Sequence, residues 1–434
     1  MAKAMLQSLA RNAASRPIPH TTKPKSVVLG TISCSIEPKF YGTVGVDESH
    51  SEHVARQMIQ YALELARSKK SEDSYAQSLI VLEQGISFLR GDSTADSLGM
   101  LMLAMSTLLY ESGELQNSME KLQMVHQLGS ASLTLKVAAL EALTGLNLEA
   151  GQDDSSLTLA TDCFKLLNSS SGGNASAYEV LRSRAKAIKG LTHLIRGELE
   201  SAEALFGGCK EDLEGCRDQI GNTALSHGQF SHATGNLSLA KDLYEKAIHE
   251  AEDVSVKPSL SSSNMISEEI LLGATCALGQ LLSHSGKFNE AEELLTKALT
   301  KAESHFGLNH YKVGVILTCI ALMYKQKAKF DASSAILIQE GLYRRALDKL
   351  KAPSFDSQDS VAELGKKDVI ALARGGYAEV LCVQQKRKGE GERMKKWAES
   401  AWTNRRMSLA EALEISEASK SPLVVVDTRV CRAL

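Results

Sequence analysis

Residues Leu271–Leu299 read LLGATCALGQLLSHSGKFNEAEELLTKAL. Their pattern predicts two antiparallel helices joined at Ser285-Gly286-Lys287. Small residues fall where the helices must touch, Gly279 in the first and Ala291 and Ala298 in the second. Leu278, Leu282, Phe288 and Leu295 fill the space around those contacts. Such a pair leaves one apolar face uncovered, so it needs neighbours of its own kind.

The order Leu278-Gly279, Leu282, Gly286, Phe288, Ala291, Leu295, Ala298 resembles the tetratricopeptide repeat, a helix-turn-helix unit of about 34 residues. It recurs on both sides. Ala224–Ile248 carries Gly228, Gly235-Asn236-Leu237, Ala240, Tyr244 and Ala247, and Leu181–Cys209 carries Gly190, Gly197-Glu198-Leu199, Ala202 and Phe206. Leu133–Leu167 repeats the theme with Gly145, Leu148, Gly151 and Ala160, and Leu98–Val125 with Leu109, Gly113, Leu115 and Ser118. A looser first pair, His53–Ala66 and Tyr75–Leu89, places Ser78 and Gly85 at the small positions. After the central unit, His305–Val313 (HFGLNHYKV) resembles the connection of kinesin-light-chain-type repeats, with Tyr311 where those have proline. Val315–Leu350 follows with a second helix that reads about six residues too long for a repeat of this kind. The last pair is Val369–Gln384 and Glu392–Ala410.

The resemblance implies an all-α, right-handed α-solenoid of about seven to eight such units over residues 52–410, stable only as neighbours cover one another. Three Ser-rich stretches interrupt it: a seam at 168–177 and insertions at 254–267 and 353–360. Alanines 202, 240 and 291 are equivalent, yet lie 38 and then 51 residues apart. Residues 411–434 form a tail in which Leu423–Val426 is a short apolar run, expected to pack back on the array.

Composition agrees with a helical array. The 434 residues include only 7 prolines and 5% aromatics, a balance that favours helices. No run of 18 apolar residues predicts a membrane span. A formal charge of −3 argues against wholesale coating of nucleic acid. The eight cysteines are scattered and fall mostly in apolar helical patterns, so they read as reduced core residues. From Met1 to Ile36 there is no acid, while Lys3, Arg11, Arg16, Lys23 and Lys25 alternate with serines, and Met5, Leu6, Leu9 and Ala13 share one helical side. That is the description of an organelle transit peptide, so residues 1–45 are read as one, for the mitochondrion, with a plastid as the alternative.

No constellation for catalysis is found: phosphate-loop, zinc-protease and nucleophile-elbow motifs are missing from the sequence, and no cofactor or metal is expected. His50 and His53 among the acids of residues 42–53 read as a helix start rather than a metal site. Cys209 stands at the small position of its repeat and reads as a packed thiol rather than as half of a redox pair with Cys216. The lysine-asparagine and lysine-arginine pairs of chaperone-clamping repeats are not found at matching positions.

What remains concerns partners. The resemblance implies a non-enzymatic scaffold whose concave groove, built from the first helices, holds a protein segment. Lys189, His193, His227 and His284 are the candidates on those helices. A second candidate surface is the basic stretch Lys386, Arg387, Lys388, Arg393, Lys395, Lys396, Arg405 and Arg406. It shares a helix with Trp397 and Trp402, the only tryptophans, which read as packing residues. Basic charge of this kind suits RNA or an anionic membrane surface. The expected function is an organellar adaptor that binds or assembles a protein complex; the alternative is an RNA-associated helical-repeat protein.

Overall fold

The computed structural model describes residues 50–89, 95–169, 175–207, 221–253, 260–353, 366–414 and 423–434. The transit-peptide reading therefore lies outside the described residues, as do Cys209, Cys216 and most of the 353–360 insertion. The described chain is an all-α helical-repeat solenoid built from eight consecutive antiparallel pairs. They are α1 (His50–Lys69) with α2 (Glu72–Leu89), α3 (Ala95–Glu111) with α4 (Leu115–Gln127), and α5 (Leu133–Glu149) with α6 (Asp153–Ser169). Next come α7 (Ala175–Ile195) with α8 (Leu199–Gly207), α9 (Gly221–Ala233) with α10 (Leu237–Glu252), and α11 (Ser267–His284) with α12 (Phe288–Phe306). The last two are α13 (Tyr311–Phe330) with α14 (Ile336–Lys349) and α15 (Lys367–Cys382) with α16 (Lys388–Ala401), followed by the short α17 (Leu409–Leu413).

One turn explains why the pairs form. In α11, the amide of Gly286 donates to the carbonyl of Ser283 at 3.0 Å and that of Lys287 to Leu282 at 2.9 Å. These two bonds satisfy the last carbonyls of the helix and require a left-handed residue between them, here Gly286 at φ 73°. Pairs of the same kind stand at Gly113, Gly151, Gly197 and Gly235. The seventh hairpin makes the turn with Ala332 at φ 46° instead. Close approach of the paired helices follows from the small positions: a Cβ on Gly279 would lie 2.8 Å from Leu295 Cγ, and one on Gly190 2.6 Å from Phe206 Cζ.

Two local expectations are corrected. The second helix of the seventh unit is not overlong: α13 runs on to Phe330, the turn takes 331–335, and α14 has 14 residues. The helix expected over Glu392–Ala410 stops at Ala401. There Asn404 Oδ1 accepts the amides of Arg406 and Met407, and a Ser408–Glu411 capping box starts α17 afresh. Of the Ser-rich insertion at 254–267, residues 260–267 are described, and they run inside the array. Ser262, Ser263 and Asn264 are fully buried, and Ser263 Oγ joins Ser106 Oγ at 2.8 Å and Ser118 Oγ at 3.2 Å.

Two segments thus run inside the array. Residues 260–266 cross α3 and α5, where Gly145 leaves room for Met265. Residues 423–434 form a two-stranded hairpin, β1 (Val426–Asp427) against β2 (Arg432–Ala433), on the side of the first helices. Val425, Val430 and Leu434 share an apolar cluster with Leu148, Leu191, Phe206 and Phe230. Filling of the interior explains why α9 is buried at every position. The coil also meets itself. Arg67 of α1 bridges Glu111 of α3 at 2.6 Å and Glu268 of α11 at 2.9 Å, His305 of α12 lies 3.5 Å from Glu111, and Lys70 donates to the Ser304 carbonyl.

Candidate interaction groove

A groove of about 600 Å³ lies between α1, α3 and residues 260–268. Its apolar lining is Ile59 and Leu63 of α1, Met100, Leu103 and Ala104 of α3, and Leu260 and Ile266. Helical spacing puts each set on one side of its helix. Arg56, Gln60, Glu64 and Arg67 follow one another along the α1 rim, and Glu268 stands opposite. A partner segment could bury apolar side chains against this floor and meet charges of both signs at the edge.

The Arg67 bridge closes one end. Burial pushes the Glu111 carboxyl up, but the nearby His305 and the hydrogen-bonded Arg67 outweigh it and hold the group below the usual carboxylate range. The pair is therefore charged near neutrality and ties α1, α3 and α11 together at the mouth of the groove.

The four candidate groove residues do not converge on this site. Lys189 Nζ lies over the Phe164 ring at 5.4 Å, and His193 Nδ1 is 2.6 Å from Glu198 Oε2 within its own hairpin turn. His227 is 3% exposed and stacks on Phe206 at 5.3 Å, so it belongs to the packed interior rather than to an open surface. His284 Nδ1 meets His232 Nε2 at 2.8 Å; burial lowers His284 to about 4, and burial together with the neighbouring ring holds His232 well below the ordinary histidine value. His232 is the partner that sequence reasoning missed.

The basic stretch divides. Arg387 is engaged by Glu390, Glu340 and the Tyr377 hydroxyl, and Arg406 donates to the Ala233 carbonyl at 2.8 Å from a mostly buried position. Lys386, Lys388, Arg393, Lys395, Lys396 and Arg405 remain exposed. Both tryptophans pack: the Arg374 guanidinium sits 3.8 Å over the Trp397 ring, and Trp402 Nε1 donates to the Met407 carbonyl at 2.8 Å.

The α1–α3 groove had a signal in the sequence. Residues 95–111 (ADSLGMLMLAMSTLLYE) are apolar on nearly every side. A helix that only packed against its own pair and its neighbours would need less. Among the described residues no group of three or more His, Cys, Asp or Glu is placed to hold a metal, and no helix is long and apolar enough to cross a membrane.

Residues 271–311 match the family model of the tetratricopeptide repeat. No curated protein matches the chain. Among solved structures, BtubC (BKLC) from P. vanneervenii aligns at 13% identity and a TM-score of 0.37, over 58% of this chain and 88% of its own. A tetratricopeptide repeat protein from Parabacteroides merdae aligns at 14% identity and a TM-score of 0.36, over 73% of this chain and 99% of its own.

Proposed function

We propose that this tetratricopeptide-like helical-repeat protein is a non-catalytic scaffold that holds another protein in the groove between α1, α3 and residues 260–268. Repeats of this type mediate protein–protein interaction. One observation carries the finer reading: a stretch of first-helix surface with an apolar floor is left open by the described residues, while residues 423–434 fill the interior beside it. The Arg67 bridge to Glu111 and Glu268 fixes the walls before any partner arrives, which lowers the ordering cost of binding.

We place the scaffold in an organelle, the mitochondrion ahead of the plastid, on the acid-free, Arg- and Ser-containing composition of residues 1–45. There it binds or helps assemble a protein complex. A second reading, association with RNA or an anionic membrane, is favoured by the six exposed basic residues from Lys386 to Arg405.

The test is affinity purification of the tagged protein from isolated organelles, with and without RNase, followed by mass spectrometry. A defined protein set that survives RNase, and disappears when Leu63→Glu is introduced, is the expected result. Loss of the set on RNase treatment would transfer the function to the basic face of α16. Recovery mainly in the cytosolic fraction would remove the organelle assignment.

A further inference from the structure

Residues 423–434 are read by the array as a bound peptide is read. The side-chain amide of Gln280 takes both main-chain groups of Val426, accepting its N–H at 2.8 Å and donating to its carbonyl at 3.0 Å. That is how an edge strand holds an added peptide, with one side chain standing in for the strand. The Arg429 guanidinium is fully buried and donates to Asn222, to Ser226 Oγ at 3.3 Å and to Gln229 Oε1 at 2.7 Å. Those three residues stand at i, i+4 and i+7 on α9, a single inward stripe. Three residues on, Arg432 donates to Asp368 Oδ2 at 2.7 Å and to Asp153 Oδ1 at 2.8 Å, and Asn404 Nδ2 donates to the Ala433 carbonyl at 2.7 Å.

The reading groups come from α6, α9, α11, α15 and the residues after α16, so the third, fifth, sixth and eighth units each supply a contact. Apolar burial alone would not call for this. Val425, Val430 and Leu434 seat the hairpin against the interior, and the two arginines tie it to named polar partners as well.

We propose that this inner face is a peptide receptor, selective for a short β-branched strand followed by two arginines three residues apart, and that residues 423–434 are its intramolecular ligand. The partner class it fits is an extended segment of another chain with the same features. A tethered ligand competes at a local concentration in the millimolar range, so such a partner enters only by binding far more tightly or by arriving tethered itself. This receptor is distinct from the α1–α3 groove and stands or falls separately from it.

The experiment uses the full chain with a site-specific protease site placed within residues 415–422, cleaved under native conditions. Helicity is followed by circular dichroism. Exchange is followed by fluorescence anisotropy with a labelled synthetic peptide spanning residues 421–434. Helicity should be unchanged, and one labelled peptide per chain should replace the cut segment. An unlabelled R429A/R432A peptide should compete at least about a hundredfold less well than the native one, because it leaves the buried Asp368, the half-buried Asp153 and a polar stripe unpaired. Loss of helicity on cleavage would overturn the proposal, since the receptor would not exist without its ligand. So would a helical array whose cut segment never exchanges over days, and so would equal competition by the R429A/R432A peptide.

Discussion

Arg432 Nε lies 2.7 Å from Asp368 Oδ2, an ion pair between β2 and the first turn of α15 in which neither side chain is more than 4% exposed. Asp153, at the start of α6, meets the same guanidinium. One arginine therefore joins the third unit of the array to the eighth. Burial alone would lower its pKa, but the two carboxylates reverse that and raise it.

Removing one side of a buried pair leaves the other uncompensated. Arg432→Met should cost about 3–5 kcal/mol, read as a fall in the urea midpoint. Arg432→Met combined with Asp368→Asn should cost less than Arg432→Met alone. A double variant at least as unstable as the single one would show that packing, not charge, is what Arg432 contributes.

Gly279 is the small position of the central hairpin. A Cβ there meets Leu295 Cγ at 2.8 Å, and Leu295 is fully buried with little room to move. Gly279→Val should destabilise the chain by about 1–3 kcal/mol through overpacking, seen as a lower thermal midpoint. An unchanged midpoint would mean that the two helices are not held at this spacing.

The seventh hairpin gives the opposite case. Ala332 adopts φ 46° in a turn where five other hairpins place glycine. The left-handed conformation costs a residue with a Cβ roughly 1–2 kcal/mol. Ala332→Gly should raise stability by about 1 kcal/mol, less the entropy that glycine adds to the unfolded chain. A loss of stability would argue against the turn described.

Leu63 lines the open groove and is only half-buried. Leu63→Glu should change the midpoint of unfolding by no more than about 1 kcal/mol, as surface substitutions do, while abolishing capture of the protein partner. Retention of the same partner set at the same yield would exclude this groove as the binding surface.

The His232–His284 pair makes stability depend on pH. Burial lowers His284 to about 4, against an ordinary histidine value near 6.5. As pH falls below about 6.5 the unfolded chain takes up protons that the folded chain refuses, so stability is full above that value and declines toward pH 4. His284→Asn should flatten part of this slope in chemical denaturation measured across that window. A slope identical to that of the parent chain would show that the pair does not titrate as its burial requires.

How much of this was legible before folding depends on how local the physics is. A hairpin of two helices is written within about 30 residues: glycine for the left-handed turn, alanine or glycine where backbones touch, leucine and phenylalanine between. Those requirements repeat, so the units from Leu98 to Leu350 could be found one by one and the solenoid inferred from their order. The tryptophans, too, were legible as packing residues, because large amphipathic rings in a terminal pair have an apolar face to cover.

What the array encloses was decided only by the tertiary structure. Residues 262–264 are polar and their sequence is compatible with a solvated loop, whereas the apolar run Leu423–Val426 pointed to a tail packed on the array, as it is, without saying which polar groups would hold it there. Both segments are buried because serines and arginines there find partners more than a hundred positions away, as Ser263 does with Ser106 and Arg429 with Asn222, Ser226 and Gln229. No local pattern encodes such a match, since each partner is satisfied only once the coil has closed. His227 was misplaced for the same reason: on an open array its helix would face a groove, but with the interior filled it stacks on Phe206. The sequence by itself determined the repeating unit, because turn geometry and helix contact are local demands. The tertiary structure decided which polar groups hold the enclosed segments and which surface, between α1 and α3, the described residues leave open, because that depends on where distant polar groups can be paired out of water.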